Sequence, residues 1–199
     1  MKTYTNRTDE ELALLYTTGD NKAFDELLER NQQKLFNYIK FVVRDYEMAN
    51  DIFQDTFIKA IVKLQEGKYT DSGKFYYWLT RIAHNVIIDK LRRIKSEHII
   101  EPNNDNDLNT LSNDALKEGN RENEYVNAQI MDDVRHLMDS LPANQREVVY
   151  MRYYQDMSFK EIADLTGVSI NTSLGRMRYA LINMRRMAKQ HQIFLDMEA

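Results

Sequence analysis

Cysteine is absent from all 199 residues, which excludes disulfides, thiolate zinc sites and cysteine nucleophiles. Proline occurs twice and glycine six times, too rarely for a chain of tight hairpins, and this scarcity favours long uninterrupted helices. No apolar run nears the roughly 18 residues that a membrane span requires. The N-terminus has no secretory pattern, so the expectation is a cytoplasmic protein with no membrane insertion. Alternation of apolar and polar residues never persists long enough to mark a strand. His84, His98, His136 and His191 are isolated from one another and form no metal-ligand pair. A glycine-rich phosphate loop and a nucleophile elbow are both missing. Neither an enzyme nor a bound cofactor or metal is expected.

The formal charge of −4 argues against a nucleic-acid binder until it is divided along the chain. Residues 1–95 carry 16 basic and 14 acidic side chains, residues 96–140 carry 3 and 11, and residues 141–199 carry 8 and 6. The acidity is concentrated in one middle segment, and the flanking segments are locally basic.

Ser158 to Leu181 organises the second half. Ser158 and Glu161 spell a capping box, and Phe159, Ile162, Ala163 and Leu165 supply a short apolar face at helical spacing. Gly167 follows where a helix should end. Ser169 is a candidate N-cap for a second helix with the apolar stripe Ile170, Leu174, Met177, Leu181 and Met184. Two helices joined by a tight glycine turn make a helix-turn-helix, whose second helix enters the major groove. From Ser169 to His191 there are five Lys or Arg and no Asp or Glu, which favours DNA over an ordinary helical hairpin.

From the N-terminus, Thr8 and Glu11 spell another capping box for a short helix ending near Gly19, and Asp20 can cap a long one. That helix has apolar residues Phe24, Leu27, Leu28, Leu35, Phe36, Ile39, Val42 and Val43, spaced by threes, fours and one seven. A third runs from about Glu47 to Leu64, with Ile52, Phe53, Phe57, Ala60, Ile61 and Leu64 inward and Asp51, Gln54, Asp55 and Lys59 outward. Taken alone, those polar residues read as a solvated face. Glu66 to Gly73 is a polar loop.

The next helix begins at Phe75 and crowds Tyr76, Tyr77 and Trp78 at its start. Between Lys74 and Lys95 there are six basic residues and one acidic. Aromatics beside positive charge suit unpaired bases on a phosphate backbone, although core packing with a solubilising tail fits equally well. Residues 96–119 are rich in Asn and Asp without sustained period and read as a flexible acidic linker. A helical pattern returns from about Arg121 to Ser140. Leu141-Pro142 then punctuates before a helix containing Val148, Val149, Met151 and Tyr153. The fold expected is all-α, two helical bundles joined by a tether, with domains at 1–95 and 121–199 and a linker at 96–120.

Three blocks, in order, resemble bacterial RNA polymerase sigma factors of the small extracytoplasmic-function (ECF) type: Ala23 to Ile61, Phe75 to Arg93, and Leu141 to Leu181. They cover about half the chain. The resemblance implies a transcription initiation factor that binds core RNA polymerase, directs it to promoter DNA and helps to melt it. In the first block it places core polymerase on Asp51, Gln54, Asp55 and Phe57. In the second it places the −10 element and single-stranded DNA on Lys74, Trp78, Arg81, Asn85, Asp89, Arg92 and Arg93. For Trp78 a core role, against Phe53 or Phe57, is an alternative, and for Asp89 an ion pair within the helix. In the third, Ser169, Asn171, Thr172, Gly175, Arg176, Arg178 and Tyr179 would face the −35 element. The family usually has an aliphatic residue where Ser173 stands, and Leu174 is expected to take that core position instead. The resemblance also implies an anti-sigma factor as a regulatory partner. A dimeric helix-turn-helix regulator and a sequestering adaptor without DNA contacts are the rival readings; the first leaves Phe75 to Arg93 unexplained, and the acid-free second helix argues against the other.

Overall fold

The computed structural model describes residues 4–69, 74–97 and 133–191, and the helices fall into two compact units. Four helices build the first: α1 (Asp9–Thr17), α2 (Asn21–Val43), α3 (Tyr46–Gln65) and α4 (Phe75–Glu97). The second contains α5 (residues 133–139), α6 (Ala143–Tyr153), most of α7 (Phe159–Thr166) and α8 (Ile170–Gln190). No strand occurs among the described residues, and no described helix is long and apolar enough to cross a membrane. The segment expected as linker, apart from Ser96 and Glu97 at the end of α4, lies outside the described residues, as does the helical pattern before residue 133.

In the first unit α1 starts at the expected capping box: Glu11 N donates to Thr8 Oγ1 at 3.2 Å, and Thr8 N to Glu11 Oε2 at 3.2 Å. Gly19 takes φ 99°, the left-handed conformation that lets the chain reverse into α2. Asp20 stands at the N-cap position of α2 but makes no capping bond there. Its carboxylate instead accepts from Tyr4 Oη at 2.9 and 3.0 Å, closing the N-terminal segment onto the helix start.

The gap of seven in the α2 stripe is filled by a polar residue. Asn31 is 3 % exposed and donates to Asp9 Oδ2 and to the Leu27 carbonyl, each at 2.9 Å. A buried amide with both protons satisfied avoids most of its desolvation cost. Beside it, Arg30 bonds Glu26 at 2.8 Å, Asp9 at 3.3 Å and the carbonyls of Arg7 and Tyr4. The start of α1 is thereby sewn to the middle of α2. The core proper is Leu12, Leu27, Leu35, Tyr38, Ile39, Ile52, Leu64, Leu79 and Ile87, all nearly inaccessible to solvent.

In the second unit, Leu137, Met138, Val148, Val149, Met151, Ile162, Met177, Ala180 and Met187 are buried. The register of α6 against α8 is marked by a buried pair, with Asn183 Nδ2 donating to Gln145 Oε1 at 2.8 Å. All three expected signals around the tight turn are present. Ser158 and Glu161 exchange capping bonds at 2.9 and 3.3 Å, Gly167 takes φ 69°, and Thr172 N donates to Ser169 Oγ at 3.0 Å.

The entry to α4 depends on a residue distant in sequence. Phe75 N donates to Glu10 Oε1 at 2.9 Å, and this bond, ahead of all other influences, holds the Glu10 carboxyl below its ordinary value of 4.5. A lowered folded value means that the stabilisation is complete above the unfolded value and is lost as pH falls through the folded one. Glu10→Ala should therefore cost about 1 kcal/mol at neutral pH, as for a lost helix cap. In thermal melts of parent and variant, the gap should close as pH is lowered below 4.5; a gap independent of pH would contradict the assignment.

Candidate nucleic-acid and polymerase interfaces

Three exposed helix faces contain the residues singled out in the sequence. On α3, Asp51, Gln54, Asp55, Ile58, Lys59 and Val62 are exposed, a set spaced by threes and fours and so on one side of the helix. Ile58 is 60 % and Val62 45 % exposed, so the stripe is partly apolar as well as acidic. The sequence reading missed these two because their spacing lies outside the inward stripe and nothing in it called for a partner. Asp51 is met by Lys90 of α4 at 3.5 Å, an exposed pair of small energetic weight.

Phe57 does not belong to this surface. It is 8 % exposed, with its ring 5.0 Å from Phe53 and 6.2 Å from Phe24 in edge-on contacts. The aromatic series continues from Phe53 to Phe36 and Tyr46 at 5.7 and 5.6 Å. So enclosed, the Phe57 ring contributes to the core of the bundle, as its inward spacing predicts, and not to the exposed polar face of α3.

On α4, Phe75, Leu79, Thr80, Ile82, Ala83, Val86 and Ile87 are buried along with His84. The remaining positions bring together Lys74, Arg81, Asn85, Asp89 and Arg92, all exposed. Their spacing keeps them within one stripe about 27 Å long. Arg93 is exposed to one side of it. Asp89 lies 3.6 Å from Arg92, so the ion pair within the helix is present and the stripe's single carboxylate is neutralised locally. Trp78 is half-buried, and its partners are neither Phe53 nor Phe57. Its ring centroid lies 5.1 Å from Tyr69 and 5.6 Å from Phe75. Tyr69, itself 6 % exposed, anchors the loop that leads into α4. Residues 70–73 of that loop are outside the described residues.

On α8 the structure shifts the expected phase. The buried line is Ser173, Met177, Ala180, Asn183 and Met187. Leu174 is 44 % exposed, whereas Ser173 is 0 % exposed. Leu174 therefore does not replace Ser173 in the core, and the Ser173 hydroxyl is enclosed without a hydrogen-bond partner. Ile170 and Leu181, counted as core, are also exposed, at 46 and 37 %. The reason is packing direction: α6 meets α8 on the line that carries Asn183, and that line, not the apolar stripe, is turned inward. The candidates Asn171, Thr172, Arg178 and Tyr179 are exposed, Gly175 and Arg176 are half-exposed, and Ser169 caps the helix.

Residues 27–97 match the family Sigma-70 region 2, and residues 131–174 match Sigma-70, region 4. The chain is 31 % identical over 176 residues to the ECF RNA polymerase sigma-E factor of Salmonella typhimurium, covering 85 % of this chain and 88 % of that one. The chain belongs to the ECF RNA polymerase sigma factors. It is also 29 % identical over 178 residues to the sigma-H factor of Pseudomonas aeruginosa, covering 86 and 89 % of the two chains. Among solved structures, the sigma factor RpoE of Bartonella quintana, determined with the anti-sigma factor NepR, shares the fold. The TM-score is 0.60 at 19 % identity, covering 84 % of this chain and 98 % of that one. As a sigma factor the protein directs transcription initiation to promoters. The region 2 match contains both the α3 and the α4 stripes, and the region 4 match includes α7 and the start of α8.

The core role of Phe57 is directly testable in this sigma factor. Phe57→Ala should destabilise the first unit by about 3–5 kcal/mol, as for buried aromatics elsewhere. Denaturant unfolding of the variant at unchanged midpoint would return Phe57 to the surface.

Proposed function

We propose that the three exposed stripes divide the work of initiation. The α3 stripe of Asp51, Gln54 and Asp55 binds core RNA polymerase, with Ile58 and Val62 supplying the apolar centre of that contact. Interfaces draw affinity from such desolvated centres and specificity from the polar rim. The α4 stripe holds the −10 element and its single strand, and α8 reads the −35 element as duplex. The factor is non-catalytic and acts in the cytoplasm, where polymerase and DNA meet. Residues 1–95 and 121–199 would be the two functional domains, with residues 96–120 between them. An anti-sigma factor is proposed as regulator, by analogy with the NepR complex of the Bartonella quintana protein.

The observation that carries this reading is the α4 stripe. It presents Lys74, Arg81, Arg92 and Asn85 beside the half-exposed Trp78, and Arg92 answers its one carboxylate. A plain duplex-binding regulator has no need of a second cationic, aromatic helix in its other unit. Stacking on an aromatic contributes about 1–3 kcal/mol per base, enough to offset part of the cost of unpairing.

One reconstitution tests the division. Asp51→Ala with Asp55→Ala should weaken capture of core polymerase while leaving helical content intact; unchanged capture would remove α3 from the interface. Lys74→Ala, Arg81→Ala and Asn85→Ala should leave polymerase capture and closed-complex formation near normal. They should reduce permanganate reactivity of unpaired thymines at the start site, and parental reactivity in all three would move strand holding elsewhere. Parent protein and core enzyme should transcribe with no added effector, and addition of an anti-sigma partner should stop it. A requirement for a small molecule would argue against regulation by occlusion.

A further inference from the structure

Gly175 is an interior residue of α8 with no internal reason to be glycine. It has no left-handed φ, and a Cβ built on it meets nothing within 4 Å. Its backbone would accept any residue but proline, and no neighbouring helix crowds it. Glycine in a helix interior is nonetheless unfavourable relative to alanine, because its backbone loses more freedom on ordering. Local choices that oppose the fold without compensating contact are the mark of a functional position.

Its location indicates which function. On a helix of 3.6 residues per turn, Gly175 lies about 165° from the centre of the buried line through Ser173, Met177 and Ala180. It therefore sits near the middle of the outward face. Asn171, one turn before it, and Arg178 and Tyr179, one turn after it, are all exposed on that face. Asn and Arg are the side chains suited to bidentate contacts with adenine and guanine edges. The helix as a whole carries five cations and no carboxylate between Ser169 and His191.

We propose that Gly175 is a close-approach position at which a DNA duplex seats against the α8 backbone, allowing Asn171 and Arg178 to reach base edges on either side of it. The inference rests on the assignment of α8 as the promoter-reading helix. It adds that specificity at the central base step is set by an absent side chain. A methyl group there would hold the duplex away from the helix, lengthening both flanking contacts together. Because no charge changes, the salt dependence of binding would stay as it is.

The test uses the full chain assembled with core polymerase, and duplexes selected by that holoenzyme from a randomised −35 pool. Gly175→Ala should move two observables in opposite directions. The thermal midpoint of the unit containing α8 should rise by about 4 °C, as a better helix former predicts. Affinity for the selected duplexes should fall by about tenfold, as for an overfilled contact, with an unchanged salt slope. Asn171→Ala and Arg178→Ala, assayed alongside, should each lose discrimination at one base position. If those two variants lose discrimination while Gly175→Ala binds as tightly as the parent, the close approach is refuted and the reading helix stands. If none of the three alters binding, α8 is not the reading helix and the proposal falls with it. Failure of Gly175→Ala to assemble with core polymerase would assign the gap to a protein face and overturn the proposal.

Discussion

The hydrogen bond from Phe75 N to Glu10 Oε1 spans 65 residues of sequence and fixes where α4 begins. The first amides of a helix have no partner within it, and Lys74, which precedes α4, carries no side-chain acceptor. Glu10 supplies one from α1. Its carboxylate also places negative charge at the positive end of a 23-residue helix. The support behind Glu10 is equally specific, since its neighbour Asp9 is held by Arg30 and Asn31 of α2. The lineage of contacts runs from the middle of α2, through the first turn of α1, to the point where the cationic stripe starts.

Aromatic packing completes that positioning. Tyr69, Phe75 and Trp78 form a cluster with centroids between 5.1 and 5.7 Å apart. One residue comes from the loop before α4 and two from its first turn, so the loop and the helix are pinned to each other. Part of the Trp78 surface holds Tyr69, and the remainder stays accessible on the side of α4 that carries Lys74 and Arg81. The Asp51–Lys90 contact, by comparison, joins α3 to α4 through side chains 64 and 39 % exposed. Its worth in water is about 1 kcal/mol at most, small enough that Asp51 can exchange it for a partner.

The α8 result shows how packing overrides composition. Counting apolar residues places Leu174 inside and leaves Ser173 as an anomaly. The helix instead turns its small side chains, Ser173, Ala180 and Ala188, inward beside Met177 and Met187. It adds the Asn183–Gln145 bond, which an apolar stripe would not reveal. Leu174 and Ile170 are left at the border of the outward face. That rotation decides which side chains of α8, those flanking Gly175 among them, are left exposed.

Much of the protein was legible in the chain itself. Helix starts were, because Thr8 with Glu11, Ser158 with Glu161, and Ser169 cap through bonds spanning three residues. So were the turns at Gly19 and Gly167, because a left-handed backbone favours glycine. The all-helical class followed from periodicity, and the cationic character of α4 and α8 from counting charge along the sequence. Tertiary structure decided the rest, wherever the deciding partner is remote. Asp20 reads as a cap, yet Tyr4 claims it. Phe57 reads inward by its spacing, yet which rings it meets, Phe24 and Phe53, is set by the packing of α2 against α3. Glu10 has no local signature at all, since its function is the amide of a helix 65 residues away. Local rules report bonds that close within a turn; a helix's rotation about its own axis is set by whatever packs against it.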